Sequence, residues 1–289
     1  MRARRDARTA RGSRAGRTAL TALVVVLVGV GVGLLVAPGT KSSPDNTGHG
    51  ATGARPDATA DQSRKIAALP APVKGLRIPR AQLLRDGAHI TRWAPVEQAT
   101  QARERPSPTS RVVASVSTTT PEGTSNLVVV DAEVTTDGVT WVHARLAVLP
   151  DGRTGWLPRS TLGGWSFVDT RVVVNREQLA LTLYRGAKAV FRTPIGVGKP
   201  STPTPAGQFY VRDRLTSYAS PEYGPLAFGT SARSPFETDW PAGGFIGIHG
   251  TDQPDLIPGH ISHGCIRLRN AAILKLGKLM PVGTPVTIR

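Results

Sequence analysis

The 289-residue chain holds a single cysteine, Cys265, and half of its six histidines fall close to it, at positions 249, 260 and 263. All four lie in one window, 243–269, reading GGFIGIHGTDQPDLIPGHISHGCIRLR. One thiol excludes an intrachain disulfide framework and any Cys-rich zinc or iron-sulfur module. A thiol among imidazoles suits nucleophilic catalysis instead. A free thiol with a pKa of about 8.5 is only slightly ionised at neutral pH, and an imidazole partner with Arg267 nearby would raise the thiolate fraction. No histidine follows Cys265, which disfavours cysteine peptidases whose histidine comes after the nucleophile.

These residues need strands to hold them. If 261–269 is extended, alternation puts His263, Cys265 and Arg267 on one face and Ile266 and Leu268 on the other. Residues i and i+2 on a strand are roughly 6.5 Å apart, too far for a direct hydrogen bond, so the base must come from a second strand. The segment 246–249 offers one, because paired residues on neighbouring strands approach to about 4.5–5.5 Å at Cβ. His249 is therefore the expected general base. Gly264 lets a substrate carbonyl approach the backbone, and the N–H groups of Gly264 and Cys265 are candidates for an oxyanion hole. The expected reaction is acyl transfer through a thioester, which needs no cofactor because one amide is exchanged for another. Strict alternation points Ser262 into the core unless the chain bends before Cys265. The same side chains, His249, His260, His263 and Cys265, could alternatively hold zinc, or the thiol could be an inert core residue. Spacing and the glycine-bearing turn account for the cluster without a metal, and none is expected.

With 31 Gly, 24 Pro and only 5% aromatic residues, a coiled coil or helical bundle is excluded and many short strands are expected. From 165 to 289 the chain is long enough for one domain. Strands are predicted at 171–174, 178–184, 209–212 and 286–288. A short helix is predicted after Asn270 as its cap, with Ile273, Leu276 and Met280 on one face and Pro281 ending it. Between 100 and 164, the runs 127–134 and 141–148 read as strands joined by an Asp137-Gly138 hairpin turn.

The chain opens with seven arginines against one acid in residues 1–18, then runs uncharged from 19 to 37. Such a run is about 28 Å as a helix, enough to span a bilayer, and the arginines hold its N-terminal end in the cytoplasm. A transmembrane anchor with an extracytoplasmic remainder is expected; a secretory signal peptide cleaved near Ala37 is the alternative. Residues 38–99 read as a flexible tether and a partly ordered approach segment. Residues 1–18 supply +6 of the net charge of +16, and the +10 left on the remainder suits wall polyanions as partners; an outward-facing protein is not expected to bind nucleic acid.

Two resemblances refine this reading. ARERPSPTSRVVASV at 102–116 and GRTGWLPRSTL at 152–162 resemble bacterial SH3-like domains of cell-wall enzymes, implying a small SH3-like β-barrel over 100–164. His249-Gly250, then Ser262-His263-Gly264-Cys265-Ile266-Arg267-Leu268, with TPAGQF at 204–209 and GTPV at 283–286, resemble the YkuD-type L,D-transpeptidases. That resemblance implies a mainly β, β-sandwich-like catalytic domain over 165–289 acting on peptidoglycan stem peptides. Cys265 would be acylated by a donor tetrapeptide, terminal D-alanine would leave, and a second stem's amine would form a 3→3 cross-link. It further implies His249 as base, the SHGC backbone as oxyanion hole, Ser262, His263, Gly250 and Arg267 as shaping the site, and acylation of Cys265 by carbapenems. Water as acceptor would make the chain an L,D-carboxypeptidase. A degenerate catalytic domain would leave a wall-binding scaffold.

Overall fold

The computed structural model describes residues 79–84, 86–216, 220–236 and 244–289. The basic leader, the 19–37 run and the tether lie outside them, and no helix among the described residues is long and apolar enough to cross a membrane.

Two sheets carry almost all the regular structure. The first contains β1 (Gln82–Leu83), β2 (Thr91–Pro95), β3 (Thr100–Arg103), β4 (Val112–Val116), β5 (Leu127–Thr136), β6 (Val139–Arg145), β7 (Thr154–Pro158) and β8 (Ser166–Val168). Its order is β4-β3-β7-β6-β5-β2-β8, with β1 also on β5. The predicted hairpin forms between β5 and β6, turning at Asp137-Gly138. β5 begins with an unbroken apolar run because both its faces are covered. Val128 and Val130 join Val142, Ala144 and Leu157 in the sheet's own core, while Leu127 and Val129 pack with Tyr210 of the second sheet. The expected boundaries need correction. β1 and β2 come from the stretch assigned to the approach segment, and β8 lies beyond residue 164, paired with β2. Two to five residues per strand with Pro95 at one end give too little periodic signal to read.

The second sheet contains β9 (Thr170–Asn175), β10 (Ala180–Arg185), β11 (Lys188–Pro194), β12 (Gly196–Gly198), β13 (Gly207–Leu215), β14 (Ala227–Arg233), β15 (Phe245–His249), β16 (Gly259–Ser262), β17 (Ile266–Arg267) and β18 (Pro285–Ile288). Its order is β11-β10-β9-β18-β13-β14-β15-β17-β12-β16. β13 joins two halves: residues 207–210 pair with β18, and those from Val211 onward pair with β14, with a register break before Asp213. One apolar core, including Val172, Leu183, Phe228, Ile248, Ile266 and Leu268, serves both halves.

The helix α1 (Asn270–Gly277) buries Ile273 and Leu276, with Met280 just beyond its end. Asn270 is its first residue rather than its cap. Arg269 holds the cap position without a side-chain capping bond, and the Asn270 Oδ1 accepts from the Thr251 N–H at 2.9 Å.

Candidate active site

β15 and β17 run parallel, with Ile248 opposite Ile266 and His249 opposite Arg267. The chain between β16 and β17 keeps the alternation expected of it. Ser262, Gly264, Ile266 and Leu268 are buried, while His263, Cys265 and Arg267 face outward into a cavity. That cavity, of about 110 Å³, is also bordered by Tyr223, Phe245 and His249. His260 does not border it; its Nδ1 donates to the Gly198 carbonyl at 3.2 Å. The four side chains considered for zinc are thus not gathered at one point, and no group of three or more His, Cys, Asp or Glu among the described residues could hold a metal ion.

Gly247 lies where thiol and imidazole meet. Its N–H donates to the Cys265 Sγ at 3.3 Å. A β-carbon placed on it would lie 3.4 Å from His249 Cδ2 and 3.8 Å from Cys265 Sγ. The Cδ2–Nε2 edge of the ring and the sulfur thus converge on the same point beside Gly247.

The His249 ring is 2% exposed, and its Nδ1 lies 2.7 Å from the Gly250 carbonyl. A carbonyl only accepts, so Nδ1 carries the proton and Nε2 is left as the basic nitrogen. Tyr223, from the turn Pro221–Tyr223, lies against the imidazole with ring centroids 4.8 Å apart. Burial pulls the His249 pKa down to about 4; the bond to Gly250 opposes this and the Arg267 charge adds to it. Burial also pushes the Cys265 thiol up, with the Gly247 N–H and Arg267 acting the other way. The expectation of a raised thiolate fraction is corrected here, since desolvation outweighs both stabilising contacts. The resting pair is neutral thiol and neutral imidazole, an arrangement suited to proton transfer as a substrate carbonyl is attacked.

The loop carrying the thiol is tied down from within. Ser262 Oγ donates to the Cys265 carbonyl at 2.6 Å and accepts from the Gly264 N–H at 3.1 Å. Thr204 Oγ1 donates to the Gly264 carbonyl at 2.7 Å and accepts from the Gly198 N–H at 2.9 Å. Gly264 has φ +123°, a conformation other residues rarely adopt. Three sequence-based roles change as a result. The Gly264 N–H is engaged by Ser262 and is not a free oxyanion donor. Ser262 is fully buried, with its hydroxyl bonds spent on the loop. Gly250 acts on the imidazole through its carbonyl. The Cys265 N–H remains as a backbone donor toward an oxyanion. Arg267 Nε is buried without a partner, a donor that a substrate oxygen would satisfy.

Residues 169–288 match the family model described as the YkuD L,D-transpeptidase catalytic domain. Over 133 residues the chain is 32% identical to the protein named L,D-transpeptidase YqjB of Bacillus subtilis, an alignment covering 42% of this chain and 71% of that one. The chain belongs to the YkuD family of L,D-transpeptidases. It is 35% identical over 118 residues to the protein named L,D-transpeptidase YkuD of Bacillus licheniformis, covering 41% of this chain and 64% of that relative. A solved Enterococcus faecium L,D-transpeptidase is 27% identical, with 42% of this chain and 50% of that chain aligned at a TM-score of 0.35. The YkuD family match begins where the second sheet does and leaves the first sheet outside it.

Tyr223, Phe245 and Gly247 escaped the sequence reading. A lone aromatic carries no periodic signal. Gly247 could have been found from the register, because placing His249 beside Arg267 puts Gly247 level with Cys265.

Proposed function

We propose that this chain is a peptidoglycan L,D-transpeptidase that makes 3→3 cross-links through a thioester on Cys265. Donor tetrapeptide binding brings the carbonyl of its third residue over the sulfur. His249 Nε2 takes the thiol proton as the C–S bond forms and passes it to the departing D-alanine amine. The Cys265 N–H steadies the oxyanion, and Arg267 donates to a substrate oxygen. An amine of a second stem then attacks the thioester carbon: the C–N bond forms, the C–S bond breaks, and the amine's proton returns through His249 to the sulfur. No redox partner or energy source is needed. His263, on the cavity rim, contacts the donor stem.

The observation that carries this reading is that Cys265 Sγ and the Nε2-bearing edge of His249 converge at Gly247 and border one cavity, in a chain of this family. The reading extends to the rest of the protein: 19–37 anchors it in the cell membrane, the tether from 39 to about 61 spaces it from the bilayer, and the wall-facing part lies outside. The first sheet acts as an SH3-like module, supported by its antiparallel strands and the Trp156-Leu157-Pro158 strand end.

Incubating the full-length protein with disaccharide-tetrapeptide muropeptides and following products by mass spectrometry tests this. Cross-linked dimer and free D-alanine are expected, and Cys265→Ala should abolish both. Dimer formation undiminished in Cys265→Ala would end the proposal, and shortened tripeptide without dimer would replace it with carboxypeptidase activity.

A further inference from the structure

Phe245 borders the cavity at Cys265 from the start of β15. Alternation puts it on the strand face that carries Gly247 and His249, with Ile246 and Ile248 turned into the core. Two residues along a strand span about 6.5–7 Å, so the half-buried ring stands one side chain away from the point where thiol and imidazole converge. The cavity measures about 110 Å³, whereas sites for compact organic ligands usually measure about 300–1,000 Å³. A stem peptide reacting there lies across the rim as well as inside, and an aromatic face at that distance is apolar surface for it to cover.

What holds this ring comes from farther off. The Arg212 guanidinium lies over it, 3.7 Å from its centroid, and that of Arg233 at 4.9 Å. Arg212 sits at the register break of β13, and β14 has a second break between Gly229 and Arg233; such breaks re-aim side chains next to active sites. Arg212 Nε donates to the Thr230 carbonyl at 3.2 Å, and Nη2 donates to Glu122 Oε1 at 2.7 Å. The N–H bonds of a guanidinium lie in its plane, so these two contacts fix the plane and leave its face to the ring, as a cation–π contact requires. Glu122 belongs to the turn between β4 and β5, which closes on itself: the Thr120 N–H donates to the Thr124 carbonyl at 2.8 Å, and the Gly123 N–H to the Thr120 carbonyl at 2.9 Å. A second turn of the first sheet carries Asp151, which accepts the Arg233 N–H at 3.0 Å, and Arg233 is the residue opposite Phe245 across β14 and β15. Both turns therefore reach residues that flank the ring.

We propose that Phe245 is a donor-binding residue, packing on the apolar part of the donor stem beside the reacting carbonyl, and that Glu122 of the first sheet is a positioning residue that sets the ring through Arg212. This rests on the transpeptidase reading and deepens it, since the first sheet takes part in donor recognition without touching substrate.

The test measures kcat and KM for a disaccharide-tetrapeptide donor in full-length protein, following release of D-alanine. Phe245→Leu keeps apolar bulk without the aromatic face and should raise the donor KM about tenfold, while Phe245→Tyr keeps the face and should stay within about twofold. Glu122→Ala leaves Arg212 matched by Asp213 at 3.4 Å and should raise KM about fivefold; Glu122→Gln, which retains an acceptor, should raise it about threefold and serves in the same comparison should the alanine variant not fold. A purely structural loss lowers the fraction of active protein, and so the rate at saturating donor, without moving KM. Because Glu122 acts only through the ring, adding Glu122→Ala to Phe245→Leu should leave KM where Phe245→Leu alone puts it. An unchanged KM in Phe245→Leu overturns the donor contact, and a Glu122→Ala effect that is absent, or that persists in full beside Phe245→Leu, overturns the positioning role; both results leave the transpeptidase reading standing. No release of D-alanine by the unaltered protein removes that reading itself.

Discussion

At the scale of single residues, burial governs how thiol and imidazole share a proton. Both groups lose hydration, so each is pushed toward its neutral form: the thiol upward, and the imidazole from 6.5 to about 4. The bond from Nδ1 to the Gly250 carbonyl then fixes which nitrogen is basic. A histidine base at its ordinary pKa would lose activity as it took up a proton near 6.5. Here Nε2 stays unprotonated well below 6.5, so the acylation rate of Cys265 should hold steady as the pH drops past that value and fall only on approach to about 4. Carbapenem acylation followed by intact mass across this range checks it, and a half-maximal rate near 6.5 would contradict the assignment. The stability linkage has the same sign. A depressed folded-state pKa gives stability that is full above 6.5 and is lost as the pH falls through about 4.

Among the elements, the connection between β16 and β17 shows what a serine can do without touching substrate. Its hydroxyl closes two bonds inside the SHGC turn, and Thr204 closes two more from the segment leading into β13. Ser262→Ala should therefore behave as the loss of a scaffold. Leaving the Cys265 carbonyl and the Gly264 N–H without this partner costs about 1–3 kcal/mol in denaturant unfolding. Acylation should slow while the donor KM stays within about twofold; a large rise in KM with unchanged stability would instead make Ser262 a substrate contact. Much of this arrangement was legible in the sequence. Alternating burial from Ser262 to Leu268 follows from a period of two, and a second strand bearing His249 follows from reach alone. The bond between Ser262 and Gly264 was not legible, because it depends on the positive φ of Gly264. Nor were β1 and β2, whose few residues pair with β5 over long sequence separation. Asn270 misled for a related reason: its side chain accepts from the Thr251 N–H and does not cap the helix.

At the scale of the whole molecule, the two sheets meet across a seam that is partly apolar and partly charged. Trp93, Leu127, Val129, Tyr210 and Val282 form the apolar part. In the charged part, Glu122 from the first sheet's side and Arg212 and Asp213 of β13 are all buried. One guanidinium faces two carboxylates, and Asp213 responds by holding its proton. Burial raises its pKa; Arg212 opposes the shift, and the neighbouring Glu122 carboxylate adds to it. In the unfolded chain Asp213 titrates at its ordinary value of 3.8. The folded state therefore binds more protons above that pH, and stability falls as the pH rises until Asp213 ionises in the fold as well. Asp213→Asn keeps an oxygen for the Gly229 N–H that Oδ1 now accepts at 2.7 Å. It also supplies a permanent N–H where the protonated acid has its O–H, beside the neighbouring Glu122 carboxylate. Unfolding in urea at several pH values should give a variant that loses less stability than the unaltered protein between pH 3.8 and neutrality, and is the more stable of the two at neutral pH. Arg212→Met should do the opposite, leaving both carboxylates buried without their cation at a cost of about 3–5 kcal/mol. Parallel pH profiles for Asp213→Asn and the unaltered protein would show that the charged seam does not couple folding to pH.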